Sequence, residues 1–299
     1  MPKSKNNQKL QKNHPPAVLL AVLAHPDDET FGMGGTLALY SKRGAQVNLI
    51  CATRGESGDV DPRYLDSYNS VADRRVAELK CASVILGLSS VQFLDYRDSG
   101  MQGSPDNRHP KALAAAPLEE VAAKVAHSIR SLRPQVVLTF DPVGGYGHPD
   151  HIAIHNATVK AFDLASNPGW EDDLPPYQPQ KLYFHIIPKG LLRFAIRVMP
   201  LFGRDPRRFG RNQDIDLVEL VGDEDFPVHA RINCKTVRRR KEEATACHTS
   251  QLEQGMSKRS LVYWILRWYD RYEYFMRAYP KPKPETCEKD LFEGIYFDL

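Results

Sequence analysis

The sequence predicts an α/β fold with a Rossmann-like, mostly parallel sheet, helices on both faces and an irregular C-terminal elaboration. Short apolar runs alternate with segments of helical periodicity, and this alternation favours a parallel sheet with right-handed crossovers. The runs are continuous, which is typical of strands buried on both faces. Acidic residues, histidines and arginines gather after the runs and not before them. We therefore expect the functional face at the carboxyl ends of the strands.

The apolar runs place five strands, at residues 17–23, 45–53, 91–94, 135–140 and 181–187. Helical periodicity places helices in the connections, at residues 31–40, about 70–86, near 117–132 and about 152–165. Gly87 is predicted to end the second of these helices. Prolines interrupt the pattern beyond the fifth strand, but no linker or repeat is visible. We therefore predict a single domain over residues 17–299, preceded by a disordered tail over residues 1–16.

Composition argues against several classes of protein. Hydrophobic residues make up 42% of the chain and charged residues 26%, as in ordinary globular proteins. A net charge of +3 is too small to argue for a nucleic-acid partner. No segment approaches the roughly 18 consecutive apolar residues of a membrane span, and the polar, basic N-terminus lacks the apolar core of a signal peptide. We therefore expect a soluble cytoplasmic protein without a nucleic-acid partner, and we leave open whether it forms a homo-oligomer.

The cysteine pattern gives a further expectation. The five cysteines are odd in number, widely scattered and without a CxxC pair: Cys51, Cys81, Cys234, Cys247 and Cys287. This pattern is typical of reduced thiols in a cytosol and not of a disulfide framework. We therefore expect these side chains to be free thiols.

Two clusters of metal-binding residue types follow two of the predicted strands. The first strand ends in His25-Pro26-Asp27-Asp28, and the fourth is followed by His148-Pro149-Asp150-His151. The His-x-x-Asp and His-x-x-His spacings put two ligands within reach of one ion where a loop enters a helix. Two histidines and one carboxylate are a common ligand set of catalytic zinc, with one position left for water. The same set can hold Fe²⁺.

The remaining polar groups of the two clusters suggest roles in proton transfer. Asp27, beside Asp28, would be free to take a proton from a metal-activated water, whose pKa falls toward about 7. His148, if it is not a ligand, would stabilise charge on a substrate oxygen, with Asp150 holding its other nitrogen. A single histidine at a strand end is more often a polar residue with an ordinary partner. Two His-Pro-Asp triplets after two separate strands favour the metal site instead.

These two motifs resemble those of the LmbE-like or PIG-L family of zinc-dependent N-acetylglucosaminyl de-N-acetylases. The resemblance runs from about Val18 to His248 and includes His248-Thr249-Ser250-Gln251, which is similar to the family's His-x-Ser-Gln signature. The family includes the GlcNAc-phosphatidylinositol deacetylase and enzymes of mycothiol and bacillithiol synthesis. We therefore expect its mostly parallel α/β fold.

The resemblance also implies a role for each residue of the motifs. It implies zinc on three ligands: His25, Asp28 and His151. It implies Asp27 as general base and then general acid, and His148 as the group beside the oxyanion, supported by Asp150. Tyr146 matches a mobile tyrosine that helps some members to bind and polarise the substrate.

The reaction that the resemblance implies is hydrolysis of the N-acetyl group of a small GlcNAc-containing substrate. One alternative is an amidase that cleaves a larger thiol-conjugate amide, as one branch of the family does. Another is a metal-dependent sugar-binding protein without turnover. The carboxylate of Asp27 argues against that last alternative, because binding alone does not need a free acid beside the ligands.

Five further charged residues are candidates for the border of the cleft. Arg54 and Glu56 follow the second strand and are predicted to bind sugar hydroxyls or an anionic aglycone; the alternative is a salt bridge within the loop. Arg74 lies on a polar helix face, where a solvated charge is the default, and only the family resemblance favours substrate contact. Asp95 and Asp98 follow the third strand, where either would orient a ligand histidine.

Two other patterns have an ordinary structural interpretation. Gly32-Met33-Gly34-Gly35 does not match a dinucleotide-binding motif, because the third glycine would fall at Leu37. We expect these glycines to let a helix start close to the sheet. Residues 189–211 hold seven Lys or Arg against Asp205 and include an amphipathic segment at 191–199. A solvated helix face over the cleft is the favoured interpretation, and attachment to an anionic membrane surface is the less favoured one.

Overall fold

The sheet that organises the molecule is mixed and mostly parallel, as the sequence predicts, and it has seven strands instead of the five predicted. The computed structural model describes residues 16–208, 216–218, 225–252, 271–285 and 287–296. The strands are β1 (Val18–Leu23), β2 (Gln46–Thr53), β3 (Ser90–Tyr96), β4 (Val136–Phe140), β5 (Lys181–Ile186), β6 (Ala230–Asn233) and β7 (Tyr272–Tyr279). Their order across the sheet is β3-β2-β1-β4-β5-β7-β6, and only β7 runs antiparallel to its neighbours. The predicted tail lies outside the described residues, except for Pro16.

The helices of the described residues are α1 (Asp28–Phe31), α2 (Gly34–Lys42), α3 (Val71–Leu86), α4 (Leu118–Leu132), α5 (Gly144–Gly147), α6 (Pro149–Ser166), α7 (Lys189–Val198) and α8 (Arg238–Thr245). Periodicity predicts α2, α3, α4 and α6, but not α1, α5 or α8. Ser70 caps α3 by accepting a hydrogen bond from the Asp73 amide at 3.1 Å. Gly87 ends α3 with a φ of 75°, a left-handed conformation that glycine adopts without strain.

The C-terminal part is more regular than the sequence suggests. The prolines interrupt the helical periodicity, but β7 and β6 extend the same sheet beyond β5, and β7 is antiparallel to both β5 and β6. β3 is also longer than predicted and reaches Tyr96. Apolar periodicity missed these additions because the strands are half-buried and interspersed with charged residues such as Arg231, Glu273 and Arg277.

The strand order brings the two predicted motifs together. β1 pairs with β2 on one side and with β4 on the other, with Leu20 opposite Val137. The first three strands therefore lie on one side of the sheet and the next ones on the other, so the strand order reverses between β1 and β4. Ligands of open α/β sheets bind at such a switch point. Both β1 and β4 are buried almost throughout. The loops that carry the motifs leave the carboxyl ends of these two neighbouring strands.

The glycines at the start of α2 let the helix approach the sheet, as expected. A Cβ on Gly35 would lie 2.6 Å from the Cβ of Cys234 and 2.9 Å from Oε1 of Glu273. The Glu273 carboxylate accepts hydrogen bonds from the amides of Gly35 (2.9 Å) and Thr36 (2.6 Å), and it pairs with Lys241 at 2.9 Å. The positive end of the α2 dipole is thus neutralised by the protein's own carboxylate.

The prediction of reduced thiols is wrong for two of the cysteines. Cys81 on α3 and Cys247, just after α8, form a disulfide with a Cα–Cα distance of 5.9 Å. The other three, Cys51, Cys234 and Cys287, are free. The bonded pair is 166 residues apart in the sequence, so no spacing pattern reveals it. Packing of α8 against α3 brings the two side chains together.

The predicted amphipathic segment forms α7. Arg193, Phe194 and Arg197 are exposed on it, and Arg193 pairs with Asp225 at 3.2 Å. No helix within the described ranges is long and apolar enough to cross a bilayer.

Candidate metal centre and active site

Three side-chain groups converge at the carboxyl ends of β1 and β4. His25 follows β1, Asp28 begins α1 and His151 lies in the first turn of α6. The His25 Nδ1 lies 3.3 Å from the His151 Nε2 and 3.6 Å from the Asp28 Oδ2, and the His151 Nε2 lies 3.3 Å from the Asp28 Oδ1. Ligands held tetrahedrally at about 2.0–2.1 Å from zinc lie about 3.3–3.4 Å apart. The residues present therefore fit a zinc ion in ligand type and in spacing.

The outer nitrogen of each of these histidines is engaged as a metal ligand requires. His25 Nε2 lies 3.0 Å from Asp150 Oδ2 and 3.4 Å from Asp98 Oδ1, and His151 Nδ1 lies 3.1 Å from the Gly144 carbonyl oxygen. An N–H donated outward leaves the inner nitrogen with a lone pair, which fixes the tautomer that binds metal. Burial alone would lower the pKa of His25, but Asp98 and the hydrogen-bonded carboxylates around it raise that pKa well above its usual value.

The carboxylate of Asp150 contacts a different histidine from the predicted one. Its Oδ2 binds His25 and the Ser99 amide (2.9 Å), whereas the backbone N–H of Asp150 donates to Nδ1 of His148 at 3.1 Å. The reason is local, because His148 is the N-cap of α6 and takes an amide of the first helical turn. The neutral His148 ring then carries its proton on Nε2, and burial with the nearby His25 and His151 lowers its pKa to about 2.

Asp27 has a strained backbone conformation, and Arg75 binds both its carboxylate and the carbonyl of the residue before it. Its φ of 121° lies in a region that non-glycine residues rarely adopt. Arg75, which is buried, donates from Nη2 to Oδ2 of Asp27 at 2.9 Å and to the Pro26 carbonyl at 2.7 Å. Burial raises the pKa of Asp27 to about 6, against the opposing charge of Arg75.

The sequence contained a signal for Arg75 that went unused. Arg75 lies four residues after Val71 and four before Leu79, on the apolar stripe that α3 turns toward the sheet. An arginine on a buried stripe needs a buried carboxylate or carbonyl partners. Here it has both, since it also donates to the Gly55 carbonyl at 3.2 Å and lies 3.8 Å from Oδ2 of Asp98.

Tyr146 lies near the rings of His148 and His151, and its role in binding substrate stays a prediction. Its ring centroid is 5.0 Å from that of His151 and 6.0 Å from that of His148, and 37% of its surface is exposed. It lies in α5, between two glycines, Gly145 and Gly147, that both have positive φ. The ring is therefore placed at the entrance of the cluster.

The predicted substrate-binding residues all have partners within the protein. Arg54 pairs with Asp95 at 2.6 Å and stacks on Phe93, which is the loop salt bridge weighed as its alternative. Glu56 accepts from the Asp98 amide at 3.0 Å. A role for these two residues in substrate binding stays a prediction. Of Asp95 and Asp98, only Asp98 reaches His25, because Asp95 lies within β3, is exposed and pairs with Arg54.

Arg74 is partly buried and not a solvated charge. It pairs with Glu78 at 3.0 Å, donates to Oγ1 of Thr249 at 2.5 Å and lies over the ring of Tyr68. Its contact with substrate also stays a prediction. These contacts tie α3 to the turn that carries His248, whose Nε2 lies 2.7 Å from Oε1 of Glu29. Sequence reasoning assigned no role to Glu29.

Comparison with known sequences agrees with this geometry. A sequence model of the PIG-L family, described as GlcNAc-PI de-N-acetylase, matches residues 20–162. A curated protein of Thermobifida fusca, named 1D-myo-inositol 2-acetamido-2-deoxy-alpha-D-glucopyranoside deacetylase, is 37% identical over 288 residues, which cover 92% of this chain and 98% of that protein. A protein of the same name from Streptomyces avermitilis is 36% identical, over 95% of this chain and 99% of its own.

Solved structures show the same fold. A conserved protein of Thermus thermophilus aligns with a TM-score of 0.57 at 25% identity, over 89% of this chain and 96% of its own. The N,N'-diacetylchitobiose deacetylase of Pyrococcus horikoshii aligns with a TM-score of 0.60 at 20% identity, over 90% of this chain and 87% of its own. With full-length relatives above 30% identity and the metal-binding geometry in place, the chain belongs to the PIG-L family of GlcNAc-PI de-N-acetylases, as its two motifs predict.

Proposed function

We propose that this protein hydrolyses the N-acetyl group of GlcNAc linked to inositol, with a zinc ion held by His25, Asp28 and His151. The observation that carries the proposal is the cluster of three side chains whose facing nitrogen and oxygen atoms lie 3.3–3.6 Å apart, with Asp27 directly before Asp28 in the sequence. The substrate is inferred from the names of the relatives that match nearly the whole chain. The polar side chains around the centre suit a hydrophilic sugar.

The metal would supply an activated water and a polarised acetyl carbonyl when bound. Asp27 takes the proton from that water: Arg75 binds its Oδ2, and Oδ1 is the oxygen that we assign to proton transfer. A base with a pKa near 6 is largely ionised at neutral pH and still basic enough to accept a proton. The water oxygen bonds to the acetyl carbon, and the same carboxyl group returns the proton to the amine nitrogen as the C–N bond breaks and acetate leaves.

His148 supports the reaction as a neutral hydrogen-bond donor. Its Nδ1 is occupied by the Asp150 amide, so Nε2–H is the group that can face a developing negative charge on the acetyl oxygen. A donor aimed at that charge contributes most in a buried site, and His148 is only 6% exposed. Asp150 and Asp98 act through His25, whose ring they orient.

The experiment is a deacetylation screen with the purified, zinc-loaded protein. The panel is GlcNAc-inositol, free GlcNAc, N,N'-diacetylchitobiose and an amide of glucosaminyl-inositol with a thiol-bearing acid, and the readout is free amine. We expect the highest kcat/KM for GlcNAc-inositol, with loss of activity after chelation and recovery with Zn²⁺ or Fe²⁺. Preference for the thiol-conjugate amide would instead support the amidase alternative. Protein that holds one metal ion and releases amine from no member of the panel would contradict both.

A further inference from the structure

The buried pair of Glu29 and His248 holds the backbone of Asp27. Both side chains are fully buried, and Nε2 of His248 lies 2.7 Å from Oε1 of Glu29. The other carboxylate oxygen, Oε2, accepts the backbone N–H of Asp27 at 2.9 Å. A carboxylate without exposure is costly unless its oxygens have partners, and these two donors provide them.

The hydrogen bond from the Asp27 N–H to Glu29 holds a backbone conformation that is strained. Its φ of 121° is unfavourable for a residue with a Cβ, at a cost on the order of 1–3 kcal/mol, and persists only where the surroundings enforce it. Arg75 binds the carboxylate of Asp27 and the carbonyl oxygen of Pro26 in the same peptide, but a guanidinium only donates and therefore cannot bind the N–H of Asp27. The Glu29 carboxylate is the group that engages the strained N–H.

The turn that carries His248 is fixed to α3 by polar and covalent contacts. Ser250 donates from its amide (2.9 Å) and from Oγ (2.7 Å) to Glu78, and Cys247 is bonded to Cys81. The same helix carries Arg75, the residue that binds the carboxylate of Asp27. α3 is therefore the common support for both the side-chain contact and the backbone contact of Asp27.

We propose that His248 is a positioning residue for the general base, which it serves by holding Glu29 against the backbone N–H of Asp27. This inference rests on the proposed function for its kinetic part. His248 touches no reacting atom in this scheme. Its hydrogen-bond donor fixes Glu29, and Glu29 fixes the strained peptide that aims Asp27.

Two substitutions separate the effect of the hydrogen-bond donor of His248 from the effect of the size of its side chain. In His248→Gln the side-chain amide can place an N–H where Nε2 lies, whereas His248→Met has a similar length and no donor. We expect His248→Met to lower kcat by about 10- to 100-fold, with KM and zinc content nearly unchanged, because small displacements of a catalytic group cost this much. We expect His248→Gln to restore most of the loss.

A double variant tests whether the effect passes through Asp27. In the Asp27→Asn background, adding His248→Met should change the residual rate by less than about twofold, because residues that act as a unit are not additive. Wild-type kcat in His248→Met, or the same fold-loss in both backgrounds, would overturn the proposal.

Hydrogen exchange supplies a readout that needs no turnover. In the zinc-free protein, the amide of Asp27 should exchange faster in His248→Met than in wild type or His248→Gln, and unchanged exchange would contradict the proposed contact.

Arg130→Met is the control for general loss of stability. Arg130 donates to the carbonyls of Ala165, Asn167 and Leu174, away from the proposed metal site. This control should unfold at lower temperature and keep kcat. Wild-type protein without deacetylase activity would refute the proposed function but leave the exchange test valid.

Discussion

Two buried polar clusters lie at opposite ends of the strands of the same sheet, and they differ in how their charges are balanced. Near the amino end of β5, Glu288 pairs with Lys181 and Arg277, each at 2.7 Å, and accepts a hydrogen bond from the Tyr183 hydroxyl. The two cations share this one carboxylate, so each buried charge of the cluster contacts an opposite charge. The cluster therefore has charge partners supplied by the protein itself.

At the carboxyl ends of β1 and β4 the balance is reversed. Four carboxylates, those of Asp27, Asp28, Asp98 and Asp150, surround the site, and Arg75 contacts two of them, Asp27 and Asp98. Buried carboxylates in excess of cations are unfavourable unless a metal ion or protonated histidines compensate. The first cluster thus pairs its charges within the protein, whereas the excess of carboxylates in the second supports the proposed metal site.

Asp27→Asn should give the largest effect and test the catalytic side of this comparison. The amide keeps the size of the side chain and cannot accept the proton, so kcat should fall by about 10²- to 10⁴-fold. Zinc content, measured on the purified variant, should stay at the wild-type level because Asp27 is not one of the three proposed ligands. Near-normal turnover would refute its role as general base.

Glu288→Gln should have the opposite profile. Removing this charge leaves Lys181 and Arg277 buried without a charged partner, which costs on the order of 3–5 kcal/mol of unfolding free energy. Urea unfolding measures this loss, and kcat of the folded protein should be unchanged because Glu288 lies away from the metal site. Glu119→Gln, which alters an exposed pair with Lys160, is the matched control and should leave the urea midpoint unchanged. A kcat loss in Glu288→Gln would show that the two clusters are coupled.

The pH profile should reflect Asp27 and not His148. A general base must be ionised, so activity should be present above the pKa of Asp27 and fall tenfold per unit as the pH drops below it. Burial places that pKa near 6, and a bound dication would lower it, so the acid limb should lie at or below pH 6. His148, whose pKa is lowered to about 2, stays neutral over this range. An acid limb that persists in the residual activity of Asp27→Asn would assign the limb to another group.

Arg54→Met should have the smallest effect on stability. The pair of Arg54 and Asp95 is exposed, and such pairs contribute about 0–1 kcal/mol. If Arg54 leaves Asp95 to bind the substrate, KM for GlcNAc-inositol should rise several-fold with kcat unchanged. Steady-state kinetics measure this, and an unchanged KM would leave Arg54 with only its loop salt bridge.

Much of the site could be predicted because its signals are local. The His-Pro-Asp triplets and the apolar runs ahead of them lie within a few residues of each other, so residue type and spacing identify candidate ligands. The N-cap Ser70 and the stop at Gly87 are local in the same sense. The hydrogen-bond partners of those residues could not be predicted in the same way, because a carboxylate in a motif does not reveal which histidine it faces.

The sequence by itself determined the strand and helix pattern, the ligand-type residues and the edge of the sheet where they lie. Only the tertiary structure decided that β4 lies beside β1, that Asp150 orients His25, that Arg75 binds Asp27, and that Cys81 meets Cys247. The physical reason is the distance along the chain between the residues that interact. Periodicity, capping and turn formation depend on neighbours in the chain, whereas strand order and buried pairing depend on contacts between distant segments, such as Gly35 and Glu273, which are 238 residues apart.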